Sequence, residues 1–180
     1  MRSRKTIKIS YTALCTALFV VCSWIVVPIS PPITLQALAV FVSVGVFGAK
    51  LSLTAYIVYL ILGMLGLPVF AGFNGGIHVF VGPTGGFLIG FLFAIPLCGF
   101  MIRILGRRTV FLALSMSSGL IITYICGTVH YAVIWIDGPL ITSVSAATLQ
   151  CVVPFILPDI LKIIAAVCIT VRLKERIAIL

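Results

Sequence analysis

Long apolar runs separated by short connections are the feature that most restricts what this chain can fold into. At ~20 residues per membrane crossing, the runs allow about six transmembrane helices. Hydrophobic residues make up 62% of the 180 and charged residues only 8%, which lies far outside the range of soluble domains. We therefore expect an all-α integral membrane protein that forms a single domain over residues 1–180, with no soluble domain to carry separate chemistry.

Six spans are predicted, and they run from about Ile9 to Val27, Leu35 to Phe47, Leu51 to Leu65, Thr84 to Leu105, Val110 to Trp135 and Ser143 to Val171. Pro28, Pro31 and Pro32 exclude continuous helix between the first two spans, because proline removes a backbone donor and restricts the residue before it. The first run is long enough to span and no small-x-small cleavage site follows it, so we interpret it as a helix and not as a signal peptide.

Basic residues follow one side of the predicted membrane. They precede the first span, occupy the connections between spans two and three and between spans four and five, and follow span six: Arg2, Arg4, Lys5, Lys8, Lys50, Arg103, Arg107, Arg108, Arg172, Lys174 and Arg176. The other connections hold no Lys or Arg, so the positive-inside rule predicts that both termini are cytoplasmic. The net charge of +9 thus indicates orientation in lipid and no nucleic-acid partner.

Asp159 and Lys162 place an acid and a base inside the last apolar span. Three residues apart on a helix, they share one face and can meet each other or hold one ligand. Ionisable groups are costly inside a bilayer and usually line a pathway or a ligand site there. The alternative is an ion pair that only holds helices together. Counted at 1.5 Å per residue from Arg172, Asp159 lies ~20 Å above the cytoplasmic end, in the outer leaflet.

The connection from Gly66 to Gly86 is long, uncharged, glycine-dense and apolar. Exposed loops are ordinarily polar, so its aromatic and aliphatic residues predict a lid that tucks into the bundle. Glycine lets the backbone approach a ligand closely, which makes the centre of this lid segment, defined as residues 66–86, a candidate contact region. Thr34 and Gln36, in the other long outer connection, either hydrogen-bond a ligand at the mouth or cap the incoming helix.

Ala13 and Ala17 lie four residues apart on one face of the first span. Small residues at this spacing let another helix approach closely. From spacing alone, contact within the bundle is favoured over docking to a partner subunit, since small residues are common at all membrane helix contacts.

An intramembrane enzyme is the hypothesis from another class. His78, His130, Asp159 or a cysteine could carry chemistry, but the sequence has no nucleophile-elbow pattern and no H-E-x-x-H motif. Two histidines without a convincing third ligand disfavour a catalytic metal. We therefore predict that the chain is not an enzyme, with no catalytic residue, metal or cofactor.

Three motifs together resemble one known family. They are Gly66-Leu67-Pro68-Val69-Phe70-Ala71-Gly72, Gly82-Pro83-Thr84-Gly85-Gly86-Phe87-Leu88, and Pro158-Asp159-x-x-Lys162. With Ile33-Thr34-Leu35-Gln36, they resemble the BioY family, the biotin-binding S component of energy-coupling-factor (ECF) transporters. The resemblance covers nearly the whole chain with the same six-span layout. It differs at Phe87, where the family usually has Tyr, so any contact from that hydroxyl is lost.

The resemblance implies that the chain captures biotin outside a bacterial cytoplasmic (inner) membrane. Transport energy would come from a membrane coupling protein with two ATPases, in agreement with the absence of a Walker motif here. Ala13 and Ala17 match the family's Ala-x-x-x-Ala signature, which reverses the preference above in favour of partner docking.

The resemblance also assigns ligand contacts. Asp159 and Lys162 fall on the family's ligand-binding positions, and Asn74, Gly75 and Gly76 fall on its lid. Asp159 is expected to accept from the ureido N–H groups, Asn74 or loop amides to donate to the ureido oxygen, and Lys162 to neutralise charge. Gln36 and Thr84 complete the predicted substrate-binding set. Another vitamin, such as thiamine or riboflavin, is the alternative ligand, because a fold does not fix its substrate.

Overall fold

The computed structural model describes residues 4–29, 31–136 and 140–177. Seven helices account for most of these residues: α1 (Arg4–Trp24), α2 (Gln36–Phe47), α3 (Ala49–Met64), α4 (Gly85–Leu105), α5 (Thr109–Trp135), α6 (Leu140–Cys151) and α7 (Val153–Ile177). Between α1 and α2, strands β1 (Val26–Val27) and β2 (Ile33–Thr34) pair antiparallel, with Val26 opposite Thr34. The predicted all-α class is confirmed.

Within the described residues, four helices are long and apolar enough to cross a membrane, namely α1, α4, α5 and α7. Helices α2 and α3 are apolar but have only 12 and 16 residues. Most residues of α2 are buried by the rest of the protein, so its hydrophobicity reflects a place inside the bundle. The number of six crossings stays a prediction.

The last predicted span, Ser143 to Val171, is wrong as a single helix. Helix α6 ends at Cys151, Val152 forms a turn, and α7 begins at Val153. Pro154 has no N–H with which to continue the helical ladder, and proline is favoured in the first turn of a helix. The Val152 carbonyl accepts the N–H of Phe155 at 2.9 Å and that of Ile156 at 3.1 Å, which starts the new helix. Helix α6 packs on α5, whereas α7 packs on both α2 and α5.

Two glycines bring α4 and α5 into close contact. A Cβ atom at Gly86 would collide with His130 and with the Cys126 carbonyl, and one at Gly90 would lie 2.9 Å from the Cα of Thr123. Both glycines therefore lie on one packing face, as their spacing predicts. This contact fixes the position of the first turns of α4 inside the bundle.

The lid segment is partly buried in the bundle, as the sequence predicts. Phe70 is 1% exposed, and its ring packs edge-on against Tyr59 and Phe80, with centroid distances of 5.4 and 5.7 Å. Gly63 leaves the space that this ring fills. Phe73, by contrast, is 62% exposed, so the tip of the lid remains outside the core.

Side chains of α1 and α5 fasten the two ends of the lid by donating hydrogen bonds to its backbone carbonyls. The four bonds run from Ser23 to Val69 (2.5 Å), Trp24 to Pro68 (2.7 Å), His130 to Phe80 (2.9 Å) and Trp135 to Val81 (3.2 Å). Trp24 also stacks on Phe73 at 4.9 Å. The helices thus hold the ends of the lid, while its glycine-rich centre is bonded mainly to itself and to α3.

Candidate functional site

A cavity opens between α2, α4, α5 and α7. The segment that joins strands β1 and β2 lies above it, together with the lid. The cavity encloses about 630 Å³ of empty space, including its mouth. Its lining comes from all of these elements: Pro31, Pro32, Thr34, Gln36, Ala37, Phe70, Ala71, Thr84, Phe87, Leu88, Phe91, Leu120, Thr123, Tyr124, Phe155, Asp159 and Lys162. The walls are mostly apolar with a few convergent polar groups, which is the usual composition of a small-molecule site.

Asp159 and Lys162 form a buried ion pair on the α7 wall of this cavity. The Lys162 Nζ lies 2.6 Å from Asp159 Oδ1, and the two residues are 4% and 7% exposed. A buried pair must recover a large desolvation cost through close geometry and further hydrogen bonds. The spacing of three residues on one helix supplies that geometry without help from another element.

Tyr124 of α5 supplies the further hydrogen bond. Its hydroxyl donates to Asp159 Oδ2 at 2.5 Å, so each carboxylate oxygen has a donor of its own. The remaining lone pairs of the carboxylate are available to a ligand that brings N–H groups.

Sequence reasoning missed Tyr124. The available signal was a phenol in the middle of an apolar helix, since a buried tyrosine hydroxyl ordinarily needs a partner.

Gln36 adds an unsatisfied donor to the lining of the cavity. The residue is 5% exposed, and its Nε2 has no hydrogen-bond partner among the described residues. The Thr34 Oγ1 accepts the Gln36 backbone N–H at 3.3 Å, so Thr34 helps to cap α2 while it also lines the cavity. Because buried polar groups are almost always paired, the free Gln36 amide favours a ligand that presents an acceptor.

Aromatic rings form the apolar part of the cavity. Phe70, Phe87, Phe91 and Phe155 all line it, and the rings of Phe87 and Phe155 lie stacked with a centroid distance of 6.1 Å. Gly127 of α5 leaves the room that the Phe87 ring occupies. The position where the family usually carries a tyrosine therefore faces the cavity with a hydrocarbon edge.

The structure brings four of the predicted ligand contacts to the cavity and leaves three outside its lining. Gln36, Thr84, Asp159 and Lys162 line the cavity; Asn74, Gly75 and Gly76 do not.

Asn74 is exposed, and its Nδ2 donates to the Ala71 carbonyl at 2.8 Å. Gly76 has a φ of +104°, and its N–H donates to the Gly63 carbonyl at 2.7 Å. A Cβ at Gly75 would collide with the Leu67 carbonyl. These three residues shape the lid, and their contact with a ligand stays a prediction.

A second candidate surface is an apolar groove between α1 and α3. Ala13 and Ala17 line it together with Thr16, Val20 and Leu51. Both alanines are exposed, so contact within the described bundle does not account for their spacing. Thr16 instead makes the contact inside the bundle, because its hydroxyl donates to the Ala55 carbonyl of α3 at 3.0 Å.

The comparisons with known proteins agree on one family. A family model described as the BioY family matches residues 1–179. The biotin transporter BioY of Thermotoga maritima is 38% identical over 161 residues, covering 89% of this chain and 91% of the relative. The probable biotin transporter BioY of Pyrococcus horikoshii is 40% identical over 171 residues, covering 94% and 98%.

A solved structure has a similar fold along nearly the whole chain. The match is to the crystal structure of the S-component for biotin from an ECF-type ABC transporter, with a TM-score of 0.84 and 29% sequence identity. It covers 97% of this chain and 94% of that one.

Proposed function

The chain belongs to the BioY family, and from this premise we propose that it is the substrate-binding S component through which an ECF-type transporter takes up biotin. Its relatives are transporters by name and its structural neighbour is a transporter subunit, so its function is transport and not catalysis. The observation that carries the proposal is the cavity in which Asp159, Lys162 and Tyr124 form a hydrogen-bonded cluster and which is also lined by Gln36, whose buried Nε2 has no partner among the described residues.

The polar groups of the cavity match the head of biotin. A ureido ring presents two N–H donors and one carbonyl acceptor, while the fused thiophane ring is apolar. We assign the ureido N–H groups to Asp159, whose oxygens retain free lone pairs. Lys162 holds the carboxylate in place through the 2.6 Å contact. The rings of Phe87 and Phe155 border the space for the thiophane ring.

Gln36 is the donor that we propose for the ureido oxygen, because its Nε2 is buried without a partner. Thr84 adds a hydroxyl at the start of α4. Asn74 remains the proposed donor from the lid, which requires its amide to leave the Ala71 carbonyl. Gly75 and Gly76 would let the lid backbone follow that movement.

Docking to the rest of the transporter is assigned to the α1–α3 groove. Its exposed Ala13 and Ala17 leave room for a helix of a membrane coupling protein to approach closely. That protein would bring the two ATPases, since the BioY chain supplies binding and not ATP hydrolysis in this proposal. The proposed setting is a bacterial cytoplasmic membrane, crossed six times with both termini cytoplasmic and the chain forming one domain.

Calorimetry of the detergent-purified chain against biotin, thiamine and riboflavin tests the ligand assignment. We expect saturable binding with one site for biotin and none for the other two vitamins. Tight binding of thiamine or riboflavin in place of biotin would overturn the assignment, and the same panel on the Asp159→Asn variant would show whether the cavity is the site.

A further inference from the structure

A cleft lined by two arginines lies at the basic end of the bundle. The biotin cavity lies at the other end. The cleft forms where the α2–α3 turn meets the end of α4 and encloses about 680 Å³ of empty space. Its lining is Val44, Gly48, Ala49, Gly99, Ile102, Arg103, Gly106 and Arg107. Neither the transport cavity nor the α1–α3 groove includes any of these residues.

The two arginine side chains in this arginine cleft are not neutralised by the protein. Among the residues that the structure describes, neither Arg103 nor Arg107 has an ion pair or a hydrogen bond from its guanidinium. The sequence offers little to pair with them, because it has three acidic residues against twelve Lys and Arg. One of those three, Asp159, is already bound to Lys162. Since no carboxylate pairs with these arginines among the described residues, an anion from outside the chain can bind there.

Glycines make the cleft accessible to such an anion. Gly48 and Gly106 have φ angles of +84° and +94°, and no atom lies within 4 Å of where their Cβ atoms would be. At Gly99 a Cβ would collide with Ala49, so α4 approaches the start of α3 closely there. Helix α3 begins at Ala49 without a side-chain cap, and the partial positive charge of its first turn adds to that of the guanidinium groups.

The surroundings of the cleft favour a lipid as the source of the anion. Phe100 and Ile104, which flank Arg103 along α4, are 59% and 62% exposed, and an apolar exposed surface of this kind suits acyl chains. Basic pockets between membrane helices on the cytoplasmic side are known to bind anionic lipid headgroups. The cleft and the proposed partner groove share no lining residue, although Phe47 and Lys50 of the groove flank Gly48 and Ala49 of the cleft.

We propose that the arginine cleft is a binding site for the phosphate of an anionic phospholipid. Arg103 and Arg107 form hydrogen bonds to the phosphate oxygens, for which the planar guanidinium is well suited. The acyl chains lie along the exposed apolar face of α4. The site does not depend on the biotin assignment, because its ligand, residues and readout are separate.

Native mass spectrometry of the full chain tests this site in mixed micelles that contain either phosphatidylglycerol or phosphatidylcholine. We expect retained phosphatidylglycerol and little phosphatidylcholine. The variant R103Q/R107Q should weaken phosphatidylglycerol retention by roughly fivefold for each arginine removed. The single variant Arg107→Gln has a matched control in Arg108→Gln, which removes one charge from the neighbouring residue. Arg108 does not line the cleft, so this control should retain the lipid as the unmodified chain does.

Two results would overturn the proposal. One is equal loss of lipid in R103Q/R107Q and in Arg108→Gln, which would mean a diffuse effect of net charge. The other is displacement of the lipid by millimolar inorganic phosphate or by glycerol phosphate, which would mean a site for a free anion. The thermal unfolding transition of each variant reports whether it is folded, and the single variant Arg107→Gln replaces the double variant if the latter does not fold.

Discussion

Asp159 has its carboxylate shared between two protein donors. Lys162 binds one oxygen and Tyr124 the other. These two hydrogen bonds hold the carboxylate in one orientation and so fix the direction in which its free lone pairs point. A ligand N–H group then meets an acceptor that needs little reorganisation, which favours affinity.

Asp159→Asn should weaken biotin binding by about 2 kcal/mol or more, because a charge-assisted hydrogen bond is lost and Lys162 is left without its counter-ion. Isothermal titration calorimetry of the purified variant measures the change. Thr170→Val is the matched control on the same helix, since Thr170 is buried, its hydroxyl has no partner and it does not line the cavity. Unchanged affinity in Asp159→Asn would contradict the assignment.

Tyr124→Phe removes only the hydroxyl that donates to Asp159. We expect biotin affinity to fall about fivefold, the equivalent of about 1 kcal/mol for one hydrogen bond. Tyr131→Phe on the same helix is the control, because Tyr131 does not line the cavity. Equal affinities for the two variants in the same calorimetric assay would show that Tyr124 does not position the carboxylate.

The sequence predicted the site residues whose burial in a membrane is costly. It did not predict those whose side chains suit both apolar packing and hydrogen bonding. Asp159 and Lys162 stand out because a charge inside a bilayer is costly and usually marks a functional site. Tyr124 does not, since a tyrosine in an apolar helix can equally pack as a large hydrophobic side chain. The exposed place of Asn74 depends on the fold of the lid, and no short-range sequence signal specifies that fold.

At the scale of elements, the short helix α2, the connection between β1 and β2, and the lid together shape the cavity. Helix α2 has 12 residues, about 18 Å at the helical rise, which is well below the ~30 Å of a hydrocarbon core. The β1–β2 hairpin connection and the lid lie above it and cover the cavity. A longer α2 would occupy space that the structure leaves for a ligand.

Ala13→Leu should leave biotin binding intact and reduce assembly with the coupling protein. Ala13 is exposed in the α1–α3 groove and far from the cavity lining, so a leucine there obstructs only an approaching helix. Co-purification with the coupling protein and cellular biotin uptake measure the effect, for which we expect a loss of about tenfold or more, since one obstructed helix contact can outweigh about 1.4 kcal/mol of binding free energy.

Ala146→Leu is the control for this variant, because Ala146 is exposed on α6 and does not line the groove. It makes the same change of side-chain volume on another helix. Full uptake by Ala13→Leu, or equal losses in both variants, would count against the docking role of the groove.

Element boundaries illustrate what a sequence can and cannot determine. The start of α4 and the end of α5 agree with the prediction, because glycine and proline interrupt the apolar runs there. The break between α6 and α7 was not predicted, although the sequence has Pro154 and Pro158 in this region. A proline can either kink a membrane helix or end it, and packing against different neighbours decides which occurs.

At the scale of the molecule, the polar chemistry divides between the two ends of the bundle. Lys8 and Lys50 line one groove, and the start of α3 meets Arg103 and Arg107 in the arginine cleft. Gly45 of α2 packs on Thr170 of α7, which brings the neighbouring Arg172 to the same end. The biotin cavity, the hairpin and the lid occupy the other end.

This separation predicts the orientation of the chain. Because the basic end faces the cytoplasm under the positive-inside rule, an even number of crossings places both termini there. Green fluorescent protein fused to either terminus should fluoresce, since it folds in the cytoplasm. Alkaline phosphatase needs disulfides that form only outside, and it should be active when fused after Ile136, at the far end of α5. Fluorescence from one terminus only would indicate an odd number of crossings, and an inactive phosphatase fusion at Ile136 would place the cavity mouth on the wrong side for uptake.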